Sequence, residues 1–361
     1  TTAHPLQAFS PRYLTDDDAN LFTYASEWER ARMASPVIDL TPLAPWQSEP
    51  VLDIAQLQRF LARPVARFYN ERLKVRFEDI DIGPQDDEPF ALDRLEQHIA
   101  TDAMLQQALQ ADGETVAAAI QNAARHLRQQ GELPVGGFGT LIVDDIAGHA
   151  HDIAQRWRSA IAQWPEIIDG CELHYPRNEL TVVGWLEGVR RGVDGSWIRP
   201  LPLAGKLFTK DRGKTIRHDK LIYPWVLQLL ANASNVPLST LLIAADGTVV
   251  LKSCTPEDAC AHLDRLIDAW RDGMQQPLPV AVQTAFAWLS AEQEGKKDPR
   301  DLARMAYEGS DATQGAAGEI DHDPYLARTW QRFDDLFTAG FERWLPLYRP
   351  LLDAAQAQDA L

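Results

Sequence analysis

Midway along the chain the hydrophobic period changes from that of a helix to that of a strand and back, and nothing else in the sequence limits the fold as much. CELHYP, ELTVVGWLEGV, SWIRPLPL, STLLIAAD and TVVLKS, within residues 171–253, read as strands. The last two flank Asp246-Gly247, a pair suited to a tight hairpin turn that needs positive φ. A helical pattern at 218–233 interrupts them. Helical spacing precedes the block at 90–110, 114–130 and 144–164, and follows it at 256–273, 281–292, 299–308 and 324–345. Strands that must be covered by such helices predict a mixed α/β body with a helical C-terminal layer.

Nearer the start, VLDIAQLQRFLARPVARFYNERL (51–73) reads as a helix with an apolar stripe through Leu57, Phe60 and Leu61. Pro64 must break or kink it before Val65, Phe68 and Leu73 continue the stripe. Residues 1–50 read as an extended arm, apart from a short helix around LFTYASEWERARM. Pro36, Pro42, Pro45 and Pro50 suit a segment lying over a surface. GELPVGGFGT (131–140) matches neither the dinucleotide-binding nor the P-loop spacing and reads as a turn. The expected divisions are 1–50 for the arm or linker, 51–275 for the α/β core, and 276–361 for a helical extension packing on that core.

The net charge of −17 argues against a free-standing DNA binder, which must match phosphates with Lys and Arg. Charge is uneven, however. Residues 78–88 hold six acids, while residues 206–220 hold six Lys or Arg against two Asp. No apolar run of about 18 residues exists to span a membrane. The start, TTAHPLQAF, has neither the basic nor the apolar block of a signal peptide, and without an initiator Met it reads as a fragment of a longer protein. Cys171, Cys254 and Cys260 make neither a disulfide framework nor a zinc site, so a reducing, cytoplasmic setting is expected.

Several stretches recur in order in one family: HPLQAFSPRYL, FLARPVARFYNERLKVRFE, DDEPFALDRL, GELPVGGFG, GWLEGV, and the late AWLS, ARMAYEG and WLPLYRPL. From about residue 4 to residue 352 the chain resembles the C-terminal region of the exodeoxyribonuclease V gamma subunit, the RecC family of RecBCD helicase–nucleases. The resemblance implies a PD-(D/E)xK nuclease-like mixed sheet flanked by helices, with the catalytic site lost. It also implies double-strand-break repair within a complex, with RecB-like beta and RecD-like alpha subunits as partners and DNA met in that complex. No cofactor is implied.

A PD-(D/E)xK site needs one carboxylate on a first strand and an acid-x-Lys pair on the next, to hold Mg²⁺ beside the reacting phosphate. Glu187, at the end of LTVVGWLE, stands where the first carboxylate belongs. The next strand offers Ile198, Arg199, Pro200, Leu201 and Pro202, with no acid. Two prolines also argue against a regular central strand there. Glu187 therefore reads as a relic, a strand-end glutamate facing solvent or paired with Arg190 or Arg199. Two look-alikes are set aside. Glu294-Gly295-Lys296 lies in a hydrophilic run, and Gly213-Lys214-Thr215 lacks the leading glycine of a Walker A loop, where Phe208 stands. His98 has no partner acids, and His149 and His151 face different ways on a helix.

The best nucleic-acid surface in the sequence is basic. Arg190, Arg191, Lys206, Lys210, Arg212, Lys214, Arg217 and Lys220 are candidate backbone contacts, with Trp197 and Phe208 as candidate stacking platforms. The bland alternative is a charged loop paired to acids. Trp185, Trp225 and Trp270 sit in apolar contexts and read as core. WLPLYRPLL reads as a tail that docks back on the domain or faces a partner. The favoured reading is a non-catalytic assembly and DNA-handling domain. The competing readings are an active metal-dependent DNase using Glu187, which the missing acid-x-Lys pair opposes, and a stand-alone single-strand DNA binder, which the net charge opposes.

Overall fold

The stripe that reads as helix from residue 51 begins instead as a strand. A computed structural model of the chain describes residues 2, 4–7, 10–14, 20–24, 41–46, 49–77, 92–110, 115–134, 136–209, 215–295, 297–309 and 317–358. In it β1 (Val51–Asp53) runs parallel to β4 (Leu180–Leu186), with Val51 opposite Thr181 and Asp53 opposite Val183. Asp53 ends the strand by accepting the Ala55 amide at 2.7 Å, which caps α1 (Ile54–Ala62). Pro64 then breaks the stripe. Arg63 leaves helical geometry (φ −152, ψ 71), and α2 (Pro64–Arg67) restarts with proline at its first position, followed by a π turn at Phe68–Arg72.

The chain divides into two units, Thr1–Thr41 and Pro42–Leu361. The first contains a 3₁₀ turn at Pro11–Tyr13 and a hydrogen bond of 3.2 Å between the His4 imidazole and the Tyr13 hydroxyl. Most of the helix expected at 21–33, and all of the acidic run 78–88, lie outside the described residues. In the second unit the Pro42–Trp46 stretch is tied to the body. The Leu43 amide donates to the Gln275 carbonyl at 2.8 Å, and Arg72 reaches the Ala44 carbonyl while lying over the Trp46 ring.

Two sheets form. β3 (Cys171–Arg177) joins β4 in a hairpin through Asn178, whose φ of 53 is one that Asn tolerates, giving the order β1-β4-β3. The larger sheet comprises β2 (Glu166–Ile167), β5 (Arg190–Arg191), β6 (Trp197–Pro202), β7 (Leu238–Ala244), β8 (Gly247–Leu251) and β9 (Ala355–Gln358), in the order β2-β5-β6-β7-β8-β9. Only β6 and β7 are parallel within it; the connection between them contains α6 (Ile222–Ala233).

The two prolines do not prevent β6 from being an interior strand, contrary to the sequence expectation. The Leu203 amide donates to Ile243 on β7, so by alternation the amides of 199 and 201 also face β7. Positions 200 and 202 face the other way, toward β5, which pairs only with Trp197 and Ile198. Pro200 and Pro202 therefore lack a donor where no partner strand lies.

Helices cover both faces of this sheet. Ile198, Leu241 and Ile243 pack with α3 (Arg94–Gln110), α4 (Val116–Gln129) and α5 (Gly136–Gln163). Leu238, Leu242, Val249 and Leu251 join the larger core with α6 and α7 (Pro256–Gly273). Double burial explains why β7 is apolar almost throughout. The expected turn at GELPVGGFGT is present only in its first residues, 131–134; its second half is helix, since α5 begins at Gly136. A Cβ on Gly139 would lie 1.9 Å from the Pro134 carbonyl oxygen, so glycine is there for close approach rather than for a loop.

The single helix expected at 324–345 is broken. After α8 (Val282–Glu294) and α9 (Pro299–Glu308) come α10 (Pro324–Thr329), α11 (Phe333–Thr338), a 3₁₀ stretch at Phe341–Leu347, and α12 (Arg349–Ala354). Trp330 takes extended angles and Gly340 a φ of +106, each incompatible with a continuing helix. These pieces bury Tyr307, Tyr325, Phe333, Phe341 and Tyr348 completely in the larger core. Trp344, Leu345, Leu347 and Leu351 are buried too, so the apolar tail docks back on its own chain. The Tyr348 hydroxyl donates at 3.0 Å to the carbonyl of Leu61, next to the Pro64 break. Tyr348→Phe is expected to destabilise the fold by about 1–2 kcal/mol, the scale of a lost buried hydrogen bond, as read by urea unfolding.

Candidate functional site

Glu187 sits at the seam between the two sheets. β4 ends at Leu186, the chain turns at Glu187 and Gly188 (φ +71), and Arg190 enters β5 of the other sheet. The Glu187 side chain is exposed. Its backbone carbonyl accepts the Arg199 Nε from β6 at 3.0 Å. Burial pushes the Arg199 pKa down while the Glu187 charge works against that shift. β6 thus brings a guanidinium to the Glu187 backbone and carries no acid. Among the described residues, no three His, Cys, Asp or Glu side chains come together as a metal site.

The basic surface is only partly assembled. Arg191 is exposed and pairs across the β5–β6 ladder with the half-buried Trp197, so the two share a face. Arg190 is half-buried, donating to the Trp164 carbonyl at 3.3 Å and lying over the Trp157 ring. Lys206 is exposed. Arg217 and Lys220 both converge on Asp219, at 3.5 and 3.6 Å. Lys210, Arg212 and Lys214 lie outside the described residues.

Phe208 is not a stacking platform. It is 8% exposed, and its ring lies against Gly247, where a Cβ would meet it at 2.5 Å. Asp246 fixes it there by accepting the Leu207 and Phe208 amides, each at 3.1 Å. Asp246, the second residue of the observed Ala245-Asp246 turn, therefore also anchors the root of the basic loop. Trp225 and Trp270 are buried as expected, but Trp185 is 58% exposed and is not core.

The remaining titratable candidates stay apart. His98 is exposed on α3, and His149 approaches Asp145 at 4.0 Å along α5. Glu294 ends α8, with Gly295 (φ +65) as its cap, and Lys296 is outside the described residues. Sequence spacing gave no hint of Glu319. Its carboxylate accepts the Gln283 and Thr284 amides and the Thr284 hydroxyl, capping α8 from a distant segment. Burial raises its pKa in spite of these bonds. No helix among the described residues is long and apolar enough to cross a membrane.

A family model described as the RecC C-terminal domain matches residues 49–293, a span that takes in both sheets except β9. The RecBCD enzyme subunit RecC of Escherichia coli (strain K12) is 24% identical over 345 residues, covering 92% of this chain and 28% of that protein. The protein of the same name from Mycolicibacterium smegmatis (strain ATCC 700084 / mc(2)155) is 28% identical over 362 residues, covering 92% and 29%. The chain spans less than a third of the length of these relatives.

Proposed function

The chain belongs to the RecC C-terminal domain family, and from this premise we propose that it is a non-catalytic structural and DNA-handling domain of a RecBCD-type helicase–nuclease. It helps hold RecB-like and RecD-like subunits together and guides separated DNA strands during double-strand-break repair. Its two sheets flanked by helices are read as a PD-(D/E)xK-like scaffold whose catalytic position, Glu187, is a relic. One observation carries the non-catalytic part of this reading: β6 brings Arg199 to the Glu187 backbone carbonyl and brings no second carboxylate, which a Mg²⁺ site needs.

The strand-guiding role falls to Arg191 and Lys206 as backbone contacts, with Lys220 and Arg217 in part neutralised by Asp219. Trp197, next to Arg191, offers a surface for an unpaired base. The test is reconstitution of the chain with RecB-like and RecD-like subunits. Wild type is expected to enter a stable assembly, and Arg191→Glu with Lys206→Glu to weaken crosslinking to single-stranded DNA while leaving assembly intact. A wild-type chain that fails to assemble contradicts the proposal.

A further inference from the structure

The three-stranded sheet has two unlike faces. Register places Leu173, Val182 and Leu186 on the inner face, where all three are buried in the larger core. The outer face carries Val51, Pro176, Val183 and Trp185, each in register with a neighbour on that same face. Val51 is 52% exposed and Trp185 58%. A tryptophan near the end of the central strand, on an open sheet face, exposes a large apolar surface, and tryptophan is a residue type enriched among interface anchors.

The Trp185 ring is also held in place. Gly170 lies beneath it, so close that a Cβ there would stand 3.0 Å from Cζ2 and 3.2 Å from Nε1. A ring seated on bare backbone is already oriented for a partner and has less freedom to lose on binding.

Charge identifies the kind of partner. Glu172 is opposite Trp185, Asp53 is opposite Val183, and Asp169 adjoins Gly170; all three are exposed. His174, on the same face, is engaged by Glu172 at 3.2 Å. Arg177 turns away, gripping Asp264 and Asp268 of α7 at 2.9 and 2.8 Å. This acidic setting repels phosphate and suits Lys or Arg.

We propose that the outer face of the β1-β4-β3 sheet, centred on Trp185, is a protein-docking surface. Its occupant is an apolar segment flanked by Lys or Arg on another subunit of the assembly. The inference rests on the subunit role proposed above and assigns the surface that performs it. Nucleic acid and a second copy of this chain are the occupants it excludes.

The experiment is assembly of the chain with RecB-like and RecD-like subunits, followed by sedimentation at two salt concentrations. Trp185→Arg is expected to weaken assembly about 30-fold, the scale of losing an interface anchor. Because Trp185 is exposed, its thermal transition should match wild type. Glu172→Lys with Asp169→Lys should weaken assembly as well and reduce its salt dependence. Leu141→Ser, at an exposed apolar site on α5, should do neither. If Trp185→Arg assembles as well as wild type, the surface assignment is overturned and the subunit role stands. A wild type that does not assemble overturns both. Loss of self-association, or of DNA binding, with assembly unchanged would overturn the stated occupant.

Discussion

Phe60→Ala is expected to lower the unfolding free energy by about 3–5 kcal/mol. Phe60 is fully buried on α1, and its ring lies against Gly273 at the end of α7. A Cβ at Gly273 would come within 2.4 and 2.7 Å of two ring carbons, so the contact is ring on bare backbone. Removing the ring leaves a cavity between two helices that cannot close without shifting α1 and the β1 strand it follows. Gly273→Ala should also destabilise, by overpacking, and combining it with Phe60→Leu should recover part of the loss because the two changes share one space. Chemical denaturation of the four proteins measures the coupling. Additive losses would mean that the two sites do not touch.

The second large effect is acid sensitivity at His218. This residue is 8% exposed, begins the turn before α6, and stacks on Phe286 with ring centroids 5.1 Å apart. Burial lowers its pKa from 6.5 to about 4, outweighing the opposing pull of Asp219 and of the Ile216 backbone. A base whose folded pKa is depressed is neutral in the fold and charges more readily when unfolded. Its contribution is therefore fully present above pH 6.5 and is lost as pH falls toward 4, by up to about 3 kcal/mol. His218→Phe should flatten the stability profile between pH 7 and 4 by that amount, leaving the slopes from other groups in place. Equal profiles for the two proteins would show that His218 is not held neutral.

Much of this architecture was legible because local signals agreed with burial. Thr255-Pro256 and Asp298-Pro299 place a cap before a proline, and the expected starts of α7 and α9 coincide with the observed ones. Asp246-Gly247 signalled the β7–β8 hairpin, although the two turn residues are Ala245 and Asp246 and Gly247 already pairs with Ala244 as the first residue of β8. What failed depended on tertiary partners. Val51–Asp53 is too short to declare itself as a strand until β4 lies beside it, and AQAQ at 355–358 has no β signal apart from its pairing with β8. Trp185 and Phe208 exchanged roles for the same reason. Alternation along LTVVGWLE does not say which face a core will cover, and a basic loop does not reveal that its root is clamped by Asp246. Glu187 is legible as a strand-end acid with an exposed side chain; that Arg199 meets its backbone carbonyl and not its carboxylate needed the fold.

We propose that GWLEGV does not hold a catalytic metal. The most direct test incubates the purified chain and its Glu187→Ala variant with single- and double-stranded DNA in Mg²⁺ and in Mn²⁺. The expected result is no metal-dependent cleavage by either protein. Cutting by the wild type that disappears in Glu187→Ala would contradict the account and make this strand a working nuclease site.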